Sequence, residues 1–460
     1  MKRKDSARNV ALDVLIAVEE RGAYSNLLLN DRLNQSTLSP RDRGLATELV
    51  YGTLQRKNTL DWILNKLVRK GVHSLDLWVR HLLRLGIYQL RYLDRVPPQA
   101  AVHETVEIAK VRGHRGIPGL VNGVLRSYLR RCGREWLLPD SPETVTDLAL
   151  VTSHPEWLVR RMVEVYGIKT ARSVLKANNR PPGLSVRVNP LRGNRERVAR
   201  LLQEENPQLT IRRSSVSGQG LILSGGGHPV SGRLFREGWF TVQDESSMLV
   251  TDLLAPRPGE RVLDGCAAPG GKTGHLAERM ENRGSLLACD VHPHKVKLIE
   301  NQVRRLGLSM VEVRQADLRE LPGTGEPQFD RVLLDAPCSG WGVIRRKPDI
   351  KWSKNLREVE SLLRLQEQLL EAAARMVAPG GTLVYSTCTL EPRENQERMI
   401  AFLKKNPTFQ ADSTLVETLP APVREKALTG DGWVQILPHH FESDGFFIAR
   451  MIRENKQRQK

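Results

Sequence analysis

From residue 8 to residue 131, apolar side chains return every three or four positions, as on one face of a helix: Val10, Ala11, Val14, Leu15 and Val18 mark the first. The same period recurs from Leu60 to Leu67, Leu75 to Leu90 and Leu120 to Leu129. Ser39-Pro40-Arg41-Asp42 reads as a cap with proline at the first helical position, and Val96-Pro97-Pro98 ends one helix and begins another. The pattern predicts an all-helical domain over residues 1–140. Pro139 to Thr146, rich in Pro, Asp, Ser and Thr, reads as a linker. Over 147–240 helical stretches mix with short strands, giving a small α+β extension. There Leu184 to Asn189 alternates so as to bury Leu184, Val186 and Val188 and turn Arg187 outward. Over 241–455 short apolar runs alternate with helical segments, the pattern of a doubly wound α/β sheet. After a helix from Arg393 to Leu403, Trp433 to Leu437 and Phe446 to Ile452 read as a closing antiparallel pair.

Charge narrows the partners. The 460 residues carry a formal net charge of +18, and residues 1–140 hold 24 Lys and Arg against 14 Asp and Glu. Such an excess predicts a polyanionic partner, because cations that displace counterions from phosphates gain salt-dependent affinity. No run of 18 apolar residues is present, which argues against a membrane span. The basic start Met1-Lys2-Arg3-Lys4 has no apolar signal core behind it, since Asp13, Glu19 and Glu20 interrupt the first helix. A cytoplasmic protein is expected. The five cysteines, Cys132, Cys266, Cys289, Cys338 and Cys388, are odd in number and lack Cys-x-x-Cys spacing, so neither a disulfide framework nor a zinc or other metal site is expected.

Chemistry concentrates at the ends of the predicted strands. In open α/β sheets ligands bind in the crevice beyond the carboxyl ends of the strands. Acids stand at four successive such ends: Asp264, Asp290, Asp317 and Asp335. The first is followed by Gly265-Cys266-Ala267-Ala268-Pro269-Gly270-Gly271-Lys272-Thr273 and a helix, a small-residue turn that lets a ligand approach the backbone. It is not a phosphate-binding P-loop, because Cys266 stands where the first glycine would have to be. Asp290 is placed for ribose hydroxyls and Asp317 for an exocyclic adenine amine. Asp335-Ala336-Pro337-Cys338-Ser339-Gly340 and Ser386-Thr387-Cys388-Thr389 each set a cysteine just beyond a buried strand, so two thiols are expected to face one ligand. A thiolate adds to carbons that a hydroxyl attacks poorly, such as carbon 6 of a pyrimidine. Spacing alone does not rank the two thiols.

Asp264 to Lys272, Asp335 to Gly340 and Thr387-Cys388 resemble the signature segments of the S-adenosylmethionine-dependent RNA cytosine-C5 methyltransferases. Gln243 to Ser247, Gly342 to Trp352 and Asp444 to Phe447 are similar to further segments of that family, and Gly265 is a mild departure from it. Leu85 to Leu90 and Gly119 to Arg126 resemble the helical antitermination domain of the NusB type. With that domain the likeness covers nearly the whole chain and points to the bacterial members that act on small-subunit ribosomal RNA. The resemblance implies a Rossmann-like methyltransferase domain, a middle extension shaped like an RNA-recognition motif, and S-adenosylmethionine held by residues 266 to 272, Asp290, Asp317 and Asp335. It also implies that Cys388 adds to the ring, Cys338 assists release and Asp335 hydrogen-bonds the ring nitrogen. In the DNA-type alternative the cysteine after proline is the nucleophile. The base must leave its stack, which favours RNA not fully assembled. Arg345, Arg346, Lys347, Lys351 and Trp352 are expected to hold phosphates and stack a flanking base. Transfer RNA as substrate, or a non-catalytic RNA-binding factor, are the competing readings.

Overall fold

The computed structural model describes residues 6–131, 136, 138–140, 142–227, 229–353 and 355–455. Cys132, the basic start Met1–Lys4 and Ser141 of the expected linker lie outside them. The chain forms two compact units, one of residues 1–180 with 344–353, the other of 181–343 with 354–460.

In the first unit seven helices enclose one apolar core: Ala7–Arg21, Ser25–Gln35, Pro40–Gln55, Lys57–Leu67, Leu77–Tyr92, Pro98–Arg112 and Ile117–Arg130. The helical period read in the sequence supplies that core, with Leu12, Leu15, Leu49, Leu60, Leu82 and Leu125 fully buried. The Ser39 side chain accepts a hydrogen bond from the Asp42 backbone N–H, and Pro40 opens the helix, as the cap pattern predicts. Gly52 is required by packing, since a Cβ there would lie 1.9 Å from the Tyr88 hydroxyl oxygen. One charge cluster is built into the bundle. The buried Arg84 guanidinium grips both oxygens of Asp61 at 2.7 and 2.8 Å and reaches Glu19 at 3.0 Å.

Two further helices, Val145–Thr152 and Glu156–Asn178, lie in this unit. Polar groups bind them to the bundle: Asn58 Nδ2 donates to the carbonyls of Ala149 and His154, both at 3.1 Å, and Thr59 Oγ1 to that of Leu150 at 2.8 Å.

The segment 344–353 is also part of the first unit, and its cations do not behave as the sequence suggests. Arg345, Lys351 and Trp352, expected to meet RNA, turn inward. Lys351 is 1% exposed, and its ammonium donates to the carbonyls of Gln55 (3.1 Å) and Ser153 (3.2 Å) and to Asn179 Oδ1 (2.9 Å). Trp352 Nε1 donates to the Leu54 carbonyl at 2.8 Å, its ring packs on the helical core, and Arg345 is buried. The Ser25 hydroxyl donates to Asp349. A charge run in sequence is usually a solvated face; here main-chain carbonyls satisfy the buried ammonium in place of water. Only Arg346, half-buried, and Lys347, exposed, keep cationic groups near solvent in this stretch.

The second unit carries two sheets. Strands β1 (Leu184–Val188), β2 (Thr210–Arg213), β3 (Gly220–Ser224) and β4 (Phe240–Val242) form an antiparallel sheet of order β2-β3-β1-β4. The helix Arg195–Glu205 packs its Val198 and Leu202 into the same core as Val186 and Val188. Arg187 is not outward. Its guanidinium is fully buried, paired with Glu278 at 2.9 Å through both Nε and Nη2, bonded to the Gly271 carbonyl at 2.8 Å, and in contact with Gln243. The alternation is right, but both faces of β1 are covered.

The larger sheet contains β5 (Arg261–Asp264), β6 (Ser285–Asp290), β7 (Val311–Gln315), β8 (Phe329–Asp335), β9 (Val377–Thr387), β10 (Phe409–Ala411), β11 (Val434–Ile436) and β12 (Phe446–Arg453). Its order is β10-β12-β9-β8-β5-β6-β7, with β11 paired to β12. Strands β5 to β9 are mutually parallel, whereas β10, β11 and β9 run antiparallel to β12. The expected pair Trp433–Leu437 and Phe446–Ile452 is thus the β11–β12 pairing. The helix expected from Arg393 begins at Gln396, after a 3₁₀ turn at Pro392–Glu394. Strand order reverses beside β5, so the carboxyl ends of β5, β6 and β8 open a crevice of the kind that binds ligands.

Removing the Lys351 side chain takes the shared donor from three buried or part-buried oxygens, so Lys351→Ala should destabilise the fold by about 3 kcal/mol. Lys347→Ala, at an exposed position, should change stability by less than about 0.5 kcal/mol. Urea unfolding of the two variants measures the contrast, and equal midpoints would return Lys351 to the surface.

Candidate active site

The turn after β5 is shaped by its small residues. Gly270 has φ +96°, and a Cβ there would stand 3.1 Å from Ile299 Cα and 3.3 Å from Gln302 Cβ, so only glycine fits. The turn is pinned by the Ala267 N–H to the Cys289 carbonyl (2.9 Å) and the Gly270 N–H to the Ala267 carbonyl (2.7 Å), and the helix Gly271–Arg279 follows. Beneath it Asp264 is buried. One of its oxygens accepts from Thr273 Oγ1 at 2.8 Å, while Oδ1 has no hydrogen-bond partner. Burial, aided by the negative charges of Asp335 and Asp290, pushes its carboxyl up to about 7.

A cavity of about 390 Å³ opens beyond the strand ends. Among the residues expected at a cofactor or catalytic site, Cys266, Ala268, Asp290, Asp317, Asp335, Cys338 and Cys388 line it. Ala267, Pro269, Gly270 and Gly271 form the turn behind it. Lys272 reaches Asp335 instead, at 2.7 Å, and lies 5.0 Å from the centre of the Phe446 ring. Asp290 accepts the His292 N–H at 3.0 Å. Asp317 has a partner that the sequence reading omitted: Arg319 meets its two oxygens at 2.5 to 3.1 Å and holds its carboxyl below the usual range. Leu318, Leu365 and Leu369 add apolar walls. The last two were missed because they lie on the remote helix Leu356–Met376, though their four-residue spacing on that amphipathic helix is a signal for one shared face. Three acids with apolar walls, in a space within the ordinary range for small-molecule sites, suit a neutral heterocycle carrying ribose hydroxyls and a cationic centre.

The two thiols meet. Cys338 Sγ and Cys388 Sγ are 3.3 Å apart at the cavity wall. Asp335 stands beside them with both oxygens held, Oδ2 by Lys272 and Oδ1 by the Ser386 hydroxyl, each at 2.7 Å. The sulfur contact with Cys388, burial, and the charges of Glu394 and Asp335 together raise the Cys338 thiol well above an ordinary cysteine. Cys289 is a core residue, pushed up to about 12 by burial, and burial raises Cys266 as well.

Sequence reading also missed a polar cluster just behind the thiols. Glu394 is fully buried and accepts from the Ser339 N–H (2.9 Å), Ser339 Oγ (2.5 Å) and Gln366 Nε2 (2.8 Å). An acid and an amide, Glu394-Asn395, in the turn opened by Pro392 and close behind a cysteine segment were the available signal. Among the described residues no group of three or more His, Cys, Asp or Glu is arranged to hold a metal ion, and no helix is long and apolar enough to cross a membrane.

Comparison with known proteins agrees with this architecture. Residues 251–452 match the family described as 16S rRNA methyltransferase RsmB/F, residues 5–130 the NusB family, and residues 154–230 the ferredoxin-like domain of RsmF/B-like methyltransferases. A Bacillus subtilis protein named as a probable ribosomal RNA small subunit methyltransferase B is 45% identical over 454 residues, covering 98% of this chain and all of the relative. A Synechocystis protein of the same name is 38% identical, over 97% of this chain and 99% of its own. The crystal structure of PH0851 superposes with a TM-score of 0.81 at 27% identity, covering 98% of this chain and 100% of that one. With the strand-end crevice, its acid-lined cavity and a full-length relative at this identity, the chain belongs to the RsmB/F family of 16S rRNA methyltransferases.

Proposed function

We propose that this protein transfers the methyl group of S-adenosylmethionine to carbon 5 of a cytidine in small-subunit ribosomal RNA, through a covalent adduct between Cys388 and carbon 6. The observation that carries the reading is the 3.3 Å approach of two thiols at the wall of one cavity, beside an acid whose oxygens are both fixed. The turn 266–271, Asp290, Asp317 and Asp335 would hold the cofactor, and the cavity's acids and apolar walls fit it. Bound there, S-adenosylmethionine supplies an electrophilic methyl group.

Carbon 5 of cytosine is too weak a nucleophile to take that methyl unaided. Cys388 adds to carbon 6 as the thiolate, breaks the ring's aromaticity and leaves carbon 5 enamine-like. Asp335, oriented by Lys272 and Ser386, accepts a hydrogen bond from the ring nitrogen when that nitrogen takes up a proton from water. After transfer water takes the proton from carbon 5, the carbon 6–sulfur bond breaks, and Cys388 returns as the thiolate. Cys338, in contact with that sulfur, is placed to donate a hydrogen bond to the departing thiolate without giving up its proton. This division of labour between the two thiols is the one the family resemblance implies. The basic helical domain supplies affinity for the RNA, taken up in the cytoplasm before assembly is complete, while its target base is still free to leave the stack.

Isothermal calorimetry tests the cofactor assignment. Asp290→Ala should weaken S-adenosylmethionine binding at least tenfold, in line with the loss of a charge-assisted hydrogen bond worth about 1.5–3 kcal/mol. An affinity within twofold of the wild type would remove Asp290 from the ribose.

A denaturing gel with labelled RNA tests the thiols. Cys388→Ala should abolish both transfer and adduct, whereas Cys338→Ala should transfer the methyl and then remain attached to its RNA. Trapping by Cys388→Ala and not by Cys338→Ala would exchange the two roles.

A further inference from the structure

Each thiol is followed by a hydroxyl, and these hydroxyls are joined. Ser339 Oγ lies 2.5 Å from Thr389 Oγ1, so a polar contact one residue beyond each cysteine parallels the Cys338–Cys388 contact itself. Glu394 secures the pair from behind. Its carboxylate takes both the N–H and the hydroxyl of Ser339, and its third donor, Gln366 Nε2, also binds the Pro337 carbonyl at 2.9 Å. Residues on both sides of Cys338 are thereby tied to one acid.

The Cys388 side is held by the next residue. Asn395 Oδ1 accepts from Thr387 Oγ1 at 2.6 Å, and Asn395 Nδ2 donates to the Thr389 carbonyl at 3.1 Å. The acid's own main chain is fixed in turn, because the Tyr385 hydroxyl donates to the Glu394 carbonyl at 2.8 Å and the Glu394 N–H to the Glu391 carbonyl at 3.0 Å. The carboxylate's three donors are all neutral. Burying a carboxylate with no cation beside it is costly, and an apolar side chain would fill a core position at less expense. What a carboxylate offers here is acceptor capacity: two oxygens satisfy three converging donors, which an amide or a methylene group does not.

We infer that Glu394 is a positioning residue for the release step: acting through Ser339, it sets the reach of Cys338 to the Cys388 sulfur. It touches neither cofactor cavity nor base, and the inference rests on the thiol assignment proposed above. In Glu394→Gln the amide turns an N–H toward at least one of the three donors, and the loop bearing Cys338 loses its fixed distance. Displacements on the order of 1 Å at a reacting group can cost about a hundredfold in rate.

Purified full-length variants would be compared for S-adenosylmethionine affinity, steady-state methylation and adduct on the same denaturing gel. Glu394→Gln should lower kcat about tenfold or more, leave KM for S-adenosylmethionine within about twofold, and accumulate RNA adduct as Cys338→Ala does. Ser339→Ala should shift in the same direction, and the double variant should be no worse than Glu394→Gln alone, since both substitutions break one linkage. Should Glu394→Gln fail to fold by thermal melting, Ser339→Ala carries the test with the same readouts. A fall in kcat without adduct, or additive effects of the two substitutions, overturns the positioning role while Cys338→Ala still traps RNA. If Cys338→Ala traps nothing, the thiol assignment itself fails, and the inference with it.

Discussion

The parallel pairing of β8 with β9, in the register that sets Asp335 opposite Ser386, is the constraint on which the site depends. From that rung the two strands leave the sheet side by side, so Cys338, three residues on, and Cys388, two residues on, arrive together. A slip of one residue would reverse the faces of β9 and carry Ser386 away from Asp335. The apolar partners of both strands resist such a slip, because Leu333, Leu334, Val384 and Tyr385 are all fully buried in the register observed. Chemistry at the strand ends is therefore held by packing in the middle of the sheet.

The cofactor side is braced by an interaction of a different kind. Arg187, from the small antiparallel sheet, is buried against Glu278 on the helix that follows the glycine turn, and it also holds the Gly271 carbonyl. A fully desolvated pair of this sort is weak evidence for net stability, because removing two charges from water offsets much of their attraction. Its effect is geometric. Four hydrogen bonds from one planar group tie β1 to the segment at Gln243 and to the first and last turns of the helix Gly271–Arg279, so the small sheet and the cofactor turn are held together.

The segment 344–353 shows how a functional reading of charge fails. Its sequence, basic and punctuated by an aromatic, suggests an RNA surface close behind a catalytic loop. The chain instead sends Ile344, Ile350 and Lys351 into the helical unit, where carbonyls take the place of phosphates. Those carbonyls belong to residues 55 and 153, far away in sequence, so no local pattern announces them.

The sequence alone determined whatever depends on local period or on residue type. Helical spacing marked the bundle, short apolar runs marked the parallel strands, and the acids and cysteines at strand ends marked the crevice, because burial of apolar faces enforces those periods wherever the chain folds. The resemblance carried by Asp264–Lys272, Asp335–Gly340 and Thr387-Cys388 extended that to a family. Tertiary structure alone decided which distant groups meet: Lys272 on Asp335, Arg187 turned to Glu278, and Lys351 buried against the helical bundle. A polar side chain satisfies its hydrogen bonds with whatever the fold brings within 3 Å, and partners dozens or hundreds of residues away leave no mark on the local sequence.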